Sequence, residues 1–113
     1  MVKEFNHIGV NVRDLQKTLA FYSEHLGAKF VRGLYIPASH TIAAYVQVGT
    51  QMIEFLSPLS PSENTVYGIA HIAYTVDHIE EAARILEEKG WHFHVPPKKA
   101  GSGGGKIAFL KDP

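Results

Sequence analysis

A chain of 113 residues, 45% of them apolar and 11% aromatic, is long enough for one domain with a buried core and too apolar for disorder. Eleven basic residues balance eleven acidic ones, which leaves no long-range field for a polyanion and excludes nucleic acid and anionic membrane surfaces as main partners. The lack of cysteine excludes a disulfide framework, a thiolate zinc site and a cysteine nucleophile.

No apolar run approaches the roughly 18 residues of a membrane span, and the opening MVKEFNHIG enters a strand pattern at once. The expectation is a soluble, cytoplasmic protein without a signal peptide.

In chain order, residues 5–12 alternate as a strand. Ile8, Val10 and Val12 share one face, and Phe5, His7, Gly9 and Asn11 share the other. Asp14 is the expected N-cap of a helix with the stripe Leu15, Leu19, Tyr22 and Leu26, stopped by Gly27. Strands are expected over about 28–36, 41–48 and 51–57, the last two joined tightly through VGTQ. A linker rich in Pro and Ser covers 58–67.

The pattern then starts again. NHIGVNVRDLQKTLAFYSEHLG aligns with AHIAYTVDHIEEAARILEEKG, placing His7 on His71 at an offset of 64 residues. In this copy a strand over 69–76 sets His71, Ala73 and Thr75 opposite Ala70, Ile72, Tyr74 and Val76. Asp77 and Glu80 read as a capping box for a helix with the stripe Ile79, Ala83 and Leu86, ended by Gly90. Strands at about 91–95 and 106–111 follow.

The organisation is therefore a βαβββ module over 1–57, a linker over 58–67, and a second module over 68–113 that stops at βαββ. The second module ends at Asp112-Pro113, which opens a turn where the first copy goes on into a strand. The second module is thus expected to lack its last strand, and the chain to be truncated. The fold class is α+β, with two modules related by a pseudo-two-fold axis and a curled mixed sheet.

The loop 95–106 carries four clustered glycines and three lysines. It fails as a phosphate loop, because no glycine sits five residues before Gly105 and Ile107 replaces the required Ser or Thr. It leads into a strand, so no helix N-terminus backs it. A mobile lid is the expectation.

Seven histidines need individual readings. His25, His78, His92 and His94 fall on helix surfaces, helix starts or an edge-like strand and carry no assigned role. Taken alone, His7 or His71 reads as a satisfied interior histidine. Both, however, occupy the same strand position in two copies, and modules packed about a two-fold axis bring both imidazoles to one cleft. Glu54 interrupts the apolar strand MIEFL, sharing a face with Met52 and Leu56, where an unpaired carboxylate costs several kcal/mol. Its partner is either a metal ion shared with the two histidines or an arginine or lysine inside the cup. Two imidazoles and a carboxylate suit zinc, iron, nickel, cobalt or manganese, not calcium. No Ser-His-Asp constellation can be assembled, and paired-carboxylate hydrolysis has one well-placed member only.

HIGVNVRDLQKTLAFYSEHLG, MIEFLSPLSP, HIAYTVDHIEEAARILEEKG and GGGKIAFLKDP together resemble the vicinal oxygen chelate superfamily. Its members include glyoxalase I, methylmalonyl-CoA epimerase, fosfomycin and bleomycin resistance proteins and extradiol dioxygenases. The likeness covers almost the whole chain and is strongest to the glyoxalase I and epimerase branch. It implies a divalent metal held by first-strand and fourth-strand residues of each module, which fall on His7, His71 and Glu54, with the remaining glutamate on the absent last strand. It also implies a glutamate base just before the third strand. That stretch reads Pro37-Ala38-Ser39-His40, which leaves His40 as the substitute base beside Glu54.

The activity implied is a metal-dependent isomerase or lyase acting through an enolate on a small oxo-acid, an oxo-thiol adduct or an acyl-thioester. The alternatives are a metal-free, drug-sequestering binding protein of the bleomycin or fosfomycin resistance type and, more remotely, an iron dioxygenase. A homodimer is expected, since the missing strand leaves an unpaired edge.

Overall fold

The computed structural model describes residues 1–101 and 104–113. The elements run β1 (Val2–Asn11), α1 (Leu15–Leu26), β2 (Lys29–Ile36), a 3₁₀ turn (Pro37–Ser39), β3 (Thr41–Val48), β4 (Gln51–Pro58), β5 (Gly68–Val76), α2 (Ile79–Glu88), β6 (Phe93–Lys99) and β7 (Lys106–Leu110). Five strands form one mixed sheet in the order β2-β3-β4-β1-β5, while β6 and β7 form a separate hairpin. The α+β class and the two successive βα repeats are as the hydrophobic periodicity dictates.

Two compact units divide the chain, Phe5–Tyr74 and Met1–Glu4 with Thr75–Pro113. In the first, β3 pairs antiparallel with β2 and with β4, and β4 pairs parallel with β1. A parallel pair needs a long crossover, and α1 with the β2-β3 hairpin supplies it. Asp14 caps α1 as expected, with its Oδ1 accepting from the Lys17 N–H at 3.0 Å. Gly27 ends the helix at φ 67°, a left-handed conformation that glycine adopts without steric cost. Tyr22 packs on Phe55 with ring centroids 4.8 Å apart, and Phe55, Ala43, Ala44 and Val46 are the buried heart of this unit. Leu26, expected to continue the apolar stripe, is half exposed instead, because the helix ends there.

The linker is tied down by short polar contacts. Ser62 and Thr65 bond each other, Asn11 Nδ2 donates to the Val66 carbonyl at 3.0 Å, and the Arg13 guanidinium sits 4.0 Å from the Tyr67 ring centroid.

In the second unit α2 packs against β6 and β7, burying Ala83 and Phe93. The expected Asp77/Glu80 capping box does not form. His78 is the N-cap and makes no side-chain cap bond, while Glu80 pairs with Lys106 and Asp77 lies 3.9 Å from Lys3. Asp77 precedes the cap position by one residue, so the Asp77/Glu80 spacing is out of step with the start of the helix.

β6 also runs further than the sequence suggests, to Lys99. Its register with β7 shifts between Val95 and Lys98, so Pro96-Pro97 sit in an irregularity where a missing N–H costs no ladder bond. Residues 95–99 of the expected lid are therefore strand. The Ala100 N–H donates to the Gly105 carbonyl at 3.1 Å, and Ser102 and Gly103 of that expected lid lie outside the described residues. No helix among the described residues is long and apolar enough to cross a membrane.

Candidate metal centre

Strand register decides which side chains meet. Glu54 of β4 lies opposite Tyr45 of β3 and opposite Gly9 of β1, and Tyr45 in turn lies opposite Arg32 of β2. Residues across neighbouring strands share a face, so these four form one row over the sheet, with His7 two positions from Gly9 on the same face. β5 flanks β1 on its other side and carries His71.

The three residues singled out from the sequence converge. His7 Nε2 lies 3.4 Å and His71 Nε2 3.2 Å from Glu54 Oε1, and the two Nε2 atoms are 3.0 Å apart. Their side chains are 13%, 21% and 7% exposed in the order His7, His71, Glu54. Among the described residues this is the group of three or more histidine and carboxylate side chains able to share an ion. The fit can be tested on spacing alone. Ligand atoms around an ion with bonds of about 2.1 Å stand roughly 3.0 to 3.4 Å apart when the angles lie between octahedral and tetrahedral.

The His7 ring is held from behind: Nδ1 is 2.7 Å from Asn6 Oδ1, an acceptor, which leaves Nε2 as the nitrogen turned toward the cluster.

Burial alone would push the Glu54 carboxyl up. Hydrogen bonds from His7, His71 and Tyr45 outweigh it and hold the group down at about 2, so the carboxylate is ionised. Burial, with the neighbouring Glu54 charge and its hydrogen bond, pushes the Tyr45 phenol well above its ordinary value, so Tyr45 keeps its proton and donates to Glu54. The Tyr45 ring also meets His7 edge-on at 5.4 Å, with the Arg32 guanidinium 5.1 Å from its centroid. Glu54 is thus partnered by two imidazoles and a phenol, and its ion pairs among the described residues include no lysine or arginine.

His40 is not brought to this group. It ends the 3₁₀ turn in a left-handed conformation at φ 50°, is exposed, and bonds Ser60 Oγ through Nδ1 at 2.7 Å. Tyr45 lies five positions further along β3, roughly 17 Å of strand. Conversely, Asn6, Tyr45 and Gly9 all touch the site, although none carries a signal of its own in the sequence beyond its place in a strand alternation.

A sequence model of the Glyoxalase/Bleomycin resistance protein/Dioxygenase superfamily matches residues 4–113. The chain belongs to that superfamily. Within it, the mitochondrial methylmalonyl-CoA epimerase of Bos taurus is 33% identical over 113 residues, covering 93% of this chain and 65% of that protein. The chain therefore spans less than two thirds of that relative's length. The lactoylglutathione lyase of Salmonella typhimurium is 33% identical over 116 residues, covering 95% of this chain and 83% of the relative. Among solved structures, a hypothetical protein from Bacillus halodurans C-125 matches with a TM-score of 0.83 at 30% identity over 96% of this chain and 83% of that one. Methylmalonyl-CoA epimerase from Mycobacterium tuberculosis matches with a TM-score of 0.85 at 21% identity, over 97% and 79%, and shares the fold.

Proposed function

We propose that this chain is a glyoxalase-like, metal-dependent isomerase or lyase that moves a proton beside the carbonyl of an acyl-thioester, an oxo-thiol adduct or a small oxo-acid. The observation that carries the reading is the convergence of His7, Glu54 and His71 on one point with ligand-like spacing. Two relatives of this superfamily support the substrate class, since methylmalonyl-CoA and lactoylglutathione are both acyl groups on a thiol carrier.

His7, Glu54 and His71 would hold a divalent zinc, nickel, cobalt, manganese or iron ion, which would supply Lewis-acid positive charge to a substrate carbonyl. The chain's own residues set the stage for that. His7 and His71 present Nε2 lone pairs, Asn6 fixes the His7 tautomer, and Glu54 contributes one negative charge. The Tyr45 hydroxyl binds the Glu54 carboxylate and limits its rotation. Held down at about 2, Glu54 is a ligand rather than a proton carrier in the free protein.

The test is metal stoichiometry by mass spectrometry after stripping and reloading, followed by α-proton exchange in heavy water. Methylmalonyl-CoA and the glutathione adduct of methylglyoxal are the probes. Near one metal per wild-type chain, lost with exchange activity in Glu54→Ala, is the expected result. His40→Ala is expected to keep both the metal and the exchange rate, because the strand length separates it from the cluster. A wild-type protein that takes up no metal yet binds small ligands would replace this reading with the sequestering one.

A further inference from the structure

β4 and β5 are not neighbours, because β1 lies between them. Two strand spacings, about 9.6 Å, separate the backbone that carries Glu54 from the backbone that carries His71. Yet their side chains meet at 3.2 Å. The imidazole of His71 must therefore lie across β1. The residue beneath it is Gly9, the register partner of Glu54.

There is no room for anything larger. A Cβ on Gly9 would stand 2.2 Å from Cε1, 2.5 Å from Nε2 and 2.6 Å from Nδ1 of His71, where a van der Waals separation is about 3.5 Å. The clash covers most of the ring, including the nitrogen that faces Glu54. Gly9 is buried, and it is absent from the residues with positive φ, so its backbone makes no demand for glycine. Glycine inside a strand is otherwise a cost, since it gives up packing and chain entropy.

We propose that Gly9 is a positioning residue of the metal centre, whose missing side chain is the slot that lets the His71 imidazole cross β1 and meet Glu54 and His7. The assignment of that meeting point to a metal rests on the proposed function above, whereas the dependence of His71 on Gly9 does not. A methyl group at position 9 leaves the strand intact and forces the imidazole out of line, so it removes a ligand without touching one.

The experiment compares wild type, Gly9→Ala, His71→Ala and the double variant, all as the full chain. Zinc affinity is measured by competition with a chelating dye, and the melting temperature is measured on metal-stripped protein. Gly9→Ala is expected to weaken zinc binding more than about tenfold, the range of changes that misorient a ligand. It is also expected to lower Tm by a few degrees. In the His71→Ala background the same change is expected to leave Tm unchanged or raise it, since alanine suits a strand better than glycine once the ring is gone. The proposal is overturned if Gly9→Ala lowers Tm equally in both backgrounds, or if zinc affinity stays within twofold of wild type. If the wild-type protein binds none of zinc, nickel, cobalt, manganese and iron, the metal reading fails and the Tm comparison alone decides the role of Gly9.

Discussion

β1 and β5 carry the same histidine at the same place in two repeats, and they deliver it by different means. His7 stands on the strand next to Glu54 and is steadied by its neighbour Asn6. His71 stands one strand further away and reaches the same point over Gly9. The repeat partners of those helpers are unlike them. Ala70 occupies the place of Asn6, with no acceptor to offer an imidazole, and Ala73 occupies the place of Gly9, with a methyl group where the slot would be. A duplicated strand supplies a matched pair of imidazoles. The small residues around each copy then adapt the pair to a carboxylate that, among the described residues, comes from one side only.

That contrast can be broken most severely at the helper of His7. Asn6→Ala removes the acceptor that keeps the Nδ1 proton in place, and zinc affinity should fall about 10- to 100-fold by dye competition. Ala70→Asn at the matching position should leave affinity unchanged, because His71 is placed by Gly9.

Acid then sharpens the electrostatic side of the comparison. In metal-free protein the Glu54 carboxyl lies below its ordinary value of 4.5, at about 2. A depressed carboxyl contributes stability that is complete above about 4.5 and is lost as pH falls toward 2. Denaturation curves between pH 6 and pH 2 should show this loss in wild type and a shallower one in Glu54→Gln.

The smallest effects belong to the helix starts of the two repeats. Asp14→Ala should cost about 1 kcal/mol in denaturant unfolding, since Oδ1 accepts from the first turn of α1. Asp77→Ala should change stability by less than about 0.5 kcal/mol, since that carboxylate lies at the surface near Lys3 and caps nothing.

Most of the fold is legible in the order of the residues, for reasons that are local. Alternation in NHIGVNV and AHIAYTV marks strands, the Asp14 cap and Gly27 stop bracket α1, and the repeat announces a duplicated βα unit. The errors are local as well. Pro96-Pro97 make β6 look finished at residue 95, whereas a register shift absorbs both prolines. Asp77 and Glu80 have the spacing of a capping box, but cap geometry depends on which residue leaves the strand, and that is His78. The candidate ligands are legible because each breaks a pattern, a charge in MIEFL and a histidine repeated at one strand position.

By itself the sequence determined the elements, their repeat and the three polar side chains that an apolar environment must satisfy. It could do so because period, capping and desolvation act on residues close together in the chain. Only the tertiary structure places Tyr45 and Gly9 against the His7, Glu54 and His71 cluster and turns His40 to Ser60 instead. Those placements follow from register between β1, β3, β4 and β5, strands brought together from positions as much as 64 residues apart, and a glycine under an imidazole looks from the sequence like any other residue of an alternating strand.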